Sequence, residues 1–407
     1  MYNVTVENCY FHDLGYWQNT GPVSGNTVGG NGDCVQGSSS VGVRCAGGNS
    51  VTVTNCEFTK VHTAVEFNSS TNSSNLIVAN CNIHDYIVWG IILDPTTDNV
   101  DNVTFKNNNI HDAAWAYGNG YQTMMVTPNV SPPHQDPMYI YNPSNTQAVV
   151  AYSAATFGSN VNVYGNIWTT THTNITLTAD IYLEYAPSVN IYNNLFDCPN
   201  NGGYGSSYPI QISWELNQGG TVRILNNTFL VNQPGANLVS AIEIGCGGYV
   251  NPPLMWPPNA YLQILNNVAD SFLTSVNEGD LFVVGTVTNQ YPLAQWTIDY
   301  NDWNPQSGAS DAYFWWNNSV GFNTNGGLSV EQYVGFDAHG ITNTPSFLSL
   351  AYGASTNSIL NNYSITNGPT VAAGTNLSGL NLPGLNADIN GNPRPSYGAW
   401  DLGAYQH

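Results

Sequence analysis

Asn3-Val-Thr-Val-Glu-Asn-Cys-Tyr-Phe11, Ser50-Val-Thr-Val-Thr-Asn-Cys-Glu-Phe58 and Asn75-Leu-Ile-Val-Ala-Asn-Cys-Asn-Ile83 are variants of one segment. Further copies begin at Asn102, Asn160, Ser188, Gly220 and Ala260, and a degenerate one at Trp296. Each alternates apolar and polar side chains, the period of a strand with one buried face, and ends in an asparagine or cysteine step. The copies start about 25 to about 60 residues apart, and none carries a helical pattern able to cover its own apolar face, so they must stack on one another. The architecture that satisfies them is all-β: a right-handed parallel β-helix, a single-stranded solenoid. Each coil adds one strand to each of two or three parallel sheets, roughly 4.8 Å from the next.

The paired asparagines are expected to stack and to bond backbone groups at a bend with unusual dihedrals. Alignment puts Cys9, Cys56 and Cys81 at the position held later by Asn108, Asn194, Asn227 and Asn267, which reads as small buried spacers in one stack. They lack the CxxC grouping of zinc sites. Cys34 with Cys45, and Cys198 with Cys246, are available for disulfides, and the odd total of 7 leaves at least one thiol free without a partner chain. His12-Asp13, His84-Asp85 and His111-Asp112 fall in register and read as a ladder at a turn rather than a metal site.

The 407 residues hold 5 Lys plus Arg against 26 Asp plus Glu, a formal charge of -21, yet only 8% are charged. Such a surface repels nucleic acid and anionic membranes, so neither is a partner. Its coat is one of amides and hydroxyls, which suits a secreted, extracellular protein in an acidic setting. Met1 leads directly into a repeat strand, so a leader peptide is expected to have been removed.

Residues 1–300 form the β-helix, with long loops at 12–49, 111–159 and 246–259, and 301–407 supply the last irregular coils and a C-terminal segment capping the solenoid end. A second strand series lies between the repeat copies: Thr63-Ala-Val-Glu-Phe67, Trp89-Gly-Ile-Ile-Leu93, Asp136-Pro-Met-Tyr-Ile140, Asp180-Ile-Tyr-Leu-Glu184, Pro209-Ile-Gln-Ile-Ser213, Ala241-Ile-Glu-Ile-Gly245 and Asp280-Leu-Phe-Val-Val284. Asp33-Cys-Val-Gln36 reads as an earlier, shorter member.

With Val65, Ile91, Met138, Ile181, Ile210, Ile242 and Leu281 turned inward, an outer row emerges: Glu66, Ile92, Tyr139, Tyr182, Gln211, Glu243 and Phe282. Two residues on lie Asp94, Tyr141 and Glu184. Tyrosines interleaved with carboxylates suit a sugar chain, the rings stacking on apolar sugar faces and the acids handling hydroxyls or the glycosidic proton. Acids one coil apart sit roughly 5 Å apart and two coils apart roughly 10 Å, bracketing the separations of retaining and inverting hydrolysis. The candidate catalytic set is Asp136 and Asp180 on adjacent coils, with Glu184 beside them and His134 tuning Asp136. Tyr139, Tyr141, Tyr182, Glu243, Glu66, Asp94 and Trp256 are candidate substrate-binding residues. Neither Arg44 nor Arg223 falls in this stripe.

The repeat over residues 1–300 resembles the pectate-lyase-like right-handed β-helix superfamily, and Asp388-Ile-Asn-Gly-Asn-Pro-Arg-Pro-Ser-Tyr-Gly-Ala-Trp-Asp-Leu-Gly-Ala-Tyr405 is similar to the closing segment of many secreted bacterial β-helix proteins. The resemblance implies a carbohydrate-active protein acting on a polysaccharide or oligosaccharide, as a monomer. The Asn-Thr-Asp, Asp-Asp and Gly-His-Gly steps of polygalacturonases are absent, and His134-Gln-Asp136 matches only loosely the His-x-Asp-Gly step of some β-helix enzymes. Three functions follow: a glycoside hydrolase on a neutral or weakly charged glycan, needing no cofactor; a calcium-assisted lyase or epimerase on uronates; and a non-catalytic glycan-binding surface protein. The acidic charge favours the first, because it repels a polyuronate.

Overall fold

The computed structural model describes residues 2–12, 14, 41–68, 73–86, 88–94, 100–112, 136–141, 160–169, 179–184, 188–198, 208–212, 220–231, 240–246, 261–271, 281–285, 293–305, 314–316, 320–322, 335–349 and 362–407. They form a right-handed parallel β-helix of three long sheets. Sheet A holds the repeat strands from Tyr2–Glu7 to Trp296–Asp299, and sheet B the short strands after the asparagine corner, from Tyr10–His12 to Asp302–Pro305. Sheet C holds the second series, from Val41–Cys45 to Phe314–Trp316, with Val320–Phe322 added antiparallel at its end.

The corner between sheets A and B explains the repeat. Its first residue takes the left-handed conformation in Asn8, Asn55, Asn80, Asn107, Asn193, Asn226 and Asn266, and Gly165 fills the same place. Asparagine and glycine are the residues that adopt this conformation at least cost. The second residue of the pair points inward and is buried. Asn166 Oδ1 accepts the Asn108 backbone N–H at 2.9 Å, and its Nδ2 donates to the Phe105 carbonyl at 2.9 Å. The unit repeats through Asn194, Asn227, Asn267 and Asn301, and Asp337 ends it by accepting from the Asn301 backbone at 3.1 Å. Burial pushes the Asp337 carboxyl up to about 7. At the other end Cys81 joins the ladder, its N–H bonding Asn108 Oδ1 at 3.0 Å and its thiol facing the Ala79 carbonyl. Cys56 and Cys81 are buried spacers, as expected, and Cys9 is the exposed first member. Cys45 is a free thiol, so it makes no bridge to Cys34.

Inside the coil, like stacks on like. Phe11 lies on Phe58, and Trp168, Phe196 and Phe229 form a continuous pile with centroids 4.6 and 4.9 Å apart. The His-Asp steps form the expected ladder: the His84 and His111 rings stack at 4.9 Å, each with Nδ1 held by the following aspartate. Among the described residues no group of three or more His, Cys, Asp or Glu is arranged to hold a metal ion, and no helix is long and apolar enough to cross a membrane.

The described residues after 334 take two positions. Residues 362–407 lie along the flank of the solenoid, over the A/B corner. Leu377, Leu385 and Trp400 pack on Tyr192, Leu225 and Leu265, while Tyr363, Ala404 and Tyr405 pack on Leu195 and Leu230. Asn193, Asn226 and Asn266 bond the segment's carbonyls, and the buried Arg394 donates to Asn193 Oδ1 at 3.0 Å. The end of the coil is instead covered by 335–341, where Asp337 receives the Trp303 indole N–H at 2.5 Å and Ile341 pairs with Asp302. The corner asparagines therefore serve twice, as bends and as anchors for this strap.

Candidate functional site on the outer face of sheet C

Register decides which side chains share the outer face. Glu66 pairs with Ile92, Ile92 with Tyr139, Tyr139 with Tyr182, Tyr182 with Gln211, Gln211 with Glu243, and Glu243 with Phe282. The row is the one that strand alternation predicts. Its inner counterpart, Val65, Ile91, Met138, Ile181, Ile210 and Ile242, is wholly buried.

The middle of the row is aromatic. Tyr139 and Tyr182 stack with centroids 5.3 Å apart, and Trp89 stacks on Tyr139 at 6.1 Å. Trp89 was not among the sequence-based candidates, because strict alternation would give it the same side as Ile91. The first two residues of these strands break that alternation: the ladder pairs Thr63 with Trp89 and Val65 with Ile91 but skips Ala64 and Gly90. A Cβ on Gly90 would meet the Pro137 carbonyl and the core side chains Ile110 and Ile83, so this second position turns inward and its predecessor is left to lean out.

At one end of the row stands an acidic pair with a cation. Arg44 Nη2 lies 3.1 Å from Glu66 Oε1, and Arg44 is the register partner of Glu66. Arg44 therefore does belong to the stripe, contrary to the sequence reading. The first described strand of sheet C is Val41–Cys45, which Gly42 disguises by interrupting the alternation. Asp94 stands one rung and two residues from Glu66, about 8 Å between Cα atoms. Burial first, and the Glu66 charge second, push the Asp94 carboxyl up to about 6, with Arg44 opposing. At the other end burial raises Glu243 to about 7, although Tyr208 and Gln211 bond the carboxylate, Gln211 Nε2 at 3.2 Å. Glu66 and Glu243 are five rungs apart, about 24 Å, and cannot act on one bond together.

The other candidates are placed as follows. Asp136 pairs with Trp89, is fully buried, and accepts the Ala179 backbone N–H at 3.1 Å. Met138 pairs with Ile181, so Ala179 lies opposite Asp136 and Asp180 lies opposite Pro137. The two aspartates are on adjacent coils but in different rows, and Asp180, also buried, shares the row of Gly90. The Tyr141 backbone pairs with that of Glu184, in the row of Asp94. His134 and Trp256 lie outside the described residues.

Three buried polar atoms at or beside this face, Trp89 Nε1, Asp94 Oδ1 and Gln211 Oε1, have no hydrogen-bond partner among the described residues. No protein-family model matches the chain, and no curated protein matches it.

Proposed function

We propose that the protein is a secreted glycoside hydrolase acting on a neutral or weakly charged polysaccharide, bound along the outer face of sheet C. The single observation that carries this reading is the pairing of Glu66 and Asp94 in unequal environments. Arg44 is ion-paired to Glu66, while burial and the Glu66 charge push the Asp94 carboxyl up to about 6. An ion-paired carboxylate beside a carboxyl that holds its proton suits the base and the acid of glycoside hydrolysis. Asp94 would give its proton to the leaving glycosidic oxygen, and Glu66 would take a proton from the attacking water, so the hydroxyl adds to the anomeric carbon as the exocyclic C–O bond breaks. Trp89, Tyr139 and Tyr182 would hold neighbouring sugar rings, and Glu243 with Gln211 would bond hydroxyls about five rungs away.

In this reading Asp136 and Asp180 support the scaffold beneath the aromatic row, and Glu184 lies in the same row as the proposed acid. The reaction needs no metal, and calcium would be a structural ion. The fold is one that carbohydrate-active proteins use, and we place the chain with the pectate-lyase-like superfamily on its repeat and its closing segment. One observation favours the lyase alternative: Arg44 lies in the stripe, where a base could meet the α-proton of a uronate. Its contact with Glu66 ties up that guanidinium. A panel of neutral and uronic polysaccharides, assayed with and without chelator for new reducing ends and for the ultraviolet absorbance of unsaturated products, separates these readings. Reducing ends without unsaturation, lost in Asp94→Asn, support hydrolysis. Unsaturated ends would show elimination instead, and binding without turnover would make the protein a lectin-like surface module.

A further inference from the structure

The outer face of sheet A carries a second polar row, on a different side of the coil from the stripe. In register it runs Thr104, Asn162, Asn190, Arg223, Gln263 and Thr297. Arg223 is half-buried between its two neighbours, donating from Nη1 to Asn190 Oδ1 at 2.9 Å and from Nε to Gln263 Oε1 at 2.7 Å. Asn190 Nδ2 donates to Asn162 Oδ1 at 3.1 Å, and Asn162 Nδ2 to the Asn160 carbonyl at 3.4 Å. The amides between Asn160 and Arg223 thus run head to tail with their oxygens toward the guanidinium. They fix it in place without neutralising it.

That lack of neutralisation sets Arg223 apart from the other two arginines. Arg44 has Glu66 against it, and Arg394 sits in the field of Asp388 and Asp401. Among the described residues no carboxylate pairs with Arg223, and burial alone acts on it, lowering its pKa. Its remaining edge, Nη2 and the second N–H of Nη1, has no acceptor among the described residues. Beside it on the same face stands Tyr261, 48% exposed, which pairs with Thr221 on the neighbouring rung and so lies about 8 Å from Arg223 between Cα atoms. Two residues past Arg223 the C-terminal strap packs on Leu225, closing that side.

We propose that Arg223 and Tyr261 form a subsite for a saccharide bearing a single anionic substituent, a carboxylate or a sulfate ester. The open edge of the guanidinium matches two oxygens side by side, and the exposed ring offers a stacking surface for the sugar. A lone cation on a chain of charge -21 can accept an isolated anion but not a densely charged polymer. The subsite is on another sheet from Glu66 and Asp94 and does not depend on hydrolysis.

Isothermal titration of the full chain with methyl β-glucuronide, methyl β-glucoside, sodium acetate and sodium sulfate tests it. The glucuronide is expected to bind more tightly than the glucoside, whose contacts on sheet C carry no charge, and the free anions more weakly than the glucuronide. Arg223→Gln should weaken the glucuronide roughly tenfold or more. Asn190→Asp, which sets a carboxylate against the guanidinium, should do the same. Tyr261→Ala, at an exposed position that folding does not need, should weaken the glucuronide and leave acetate unchanged. Tyr2→Ala, at an exposed ring on the same sheet but seven rungs away, should change neither. Absence of saturable glucuronide binding, undiminished binding by the Asn190→Asp protein, equal affinity for glucuronide and acetate, or loss in Tyr2→Ala would each overturn the proposal.

Discussion

Replacing Asn194 by alanine probes the ladder that holds the coils in register. Asn194 Oδ1 accepts the Asn166 backbone N–H at 2.9 Å and the Asn166 side-chain amide at 3.2 Å, and its Nδ2 donates to the Val163 carbonyl at 2.9 Å and to Asn227 Oδ1 at 3.0 Å. The truncation leaves the buried Asn166 N–H without its acceptor and takes one bond from the Val163 carbonyl, which sits in the sheet A ladder. The other partners keep alternatives, since Asn166 Nδ2 still reaches the Phe105 carbonyl and Asn227 Oδ1 still accepts from the residue 194 backbone. Orphaning the N–H costs about 1–3 kcal/mol and losing the bond to the carbonyl about 0.5–1.5 kcal/mol, so the expected loss is about 1.5–4.5 kcal/mol. Asn194→Cys copies what Cys81 does and should lose less, because a thiol fills the space and can face a carbonyl. Urea unfolding gives the loss, and native-state hydrogen exchange locates it at the Asn166 amide and its neighbours. A loss below about 1 kcal/mol with the Asn166 amide still protected would show that the ladder does not carry the corner.

Other outcomes follow from the same geometry. Asp94, Glu243 and Asp337 have folded pKa values of about 6, 7 and 7, each above the ordinary carboxyl value. The folded state therefore binds protons more tightly, and stability is greatest near about pH 4 and falls as pH rises through about 6 to 7. Calorimetry that found the unfolding temperature rising from pH 4 toward pH 8 would contradict that sign. Asp94→Asn should lower kcat by roughly 10²–10⁴-fold while leaving glycan binding in place, as expected for loss of a proton donor, and a wild-type-like rate would remove Asp94 from the chemistry. Tyr182→Ala, at a ring that is only partly buried, should weaken binding of a neutral oligosaccharide by about tenfold in titration. Chelator should leave the rate unchanged, and a loss restored by calcium would turn the reading toward the lyase.

Much of this arrangement is legible in the sequence because strand alternation has a period of two and the asparagine corner resets it on every coil. That is why the row from Glu66 to Phe282 is predicted residue by residue and why the Cys-to-Asn stack and the His-Asp ladder are found at their expected places. Alternation fails where a strand begins. Gly90 and Pro137 break the ladder there, so Trp89 is hidden, and Asp136 and Asp180 look equivalent when they are one row apart. Gly42 hides a whole strand and with it Arg44. The raised pKa of Asp94 is not a sequence property: it comes from burial and from the charge of Glu66, with the cation brought in from the preceding coil opposing them. The strap along the flank was equally hidden, since its anchors are the corner asparagines, whose bending role already accounts for their presence.

The most direct test is a crystal structure of the Asp94→Asn protein with the oligosaccharide that the wild type releases. The account predicts sugar rings stacked on Tyr139 and Tyr182, with the scissile oxygen within hydrogen-bond reach of residue 94 and a water between the sugar and Glu66. An oligosaccharide bound away from the outer face of sheet C, or one lying there with both Glu66 and residue 94 remote from any glycosidic bond, would contradict it.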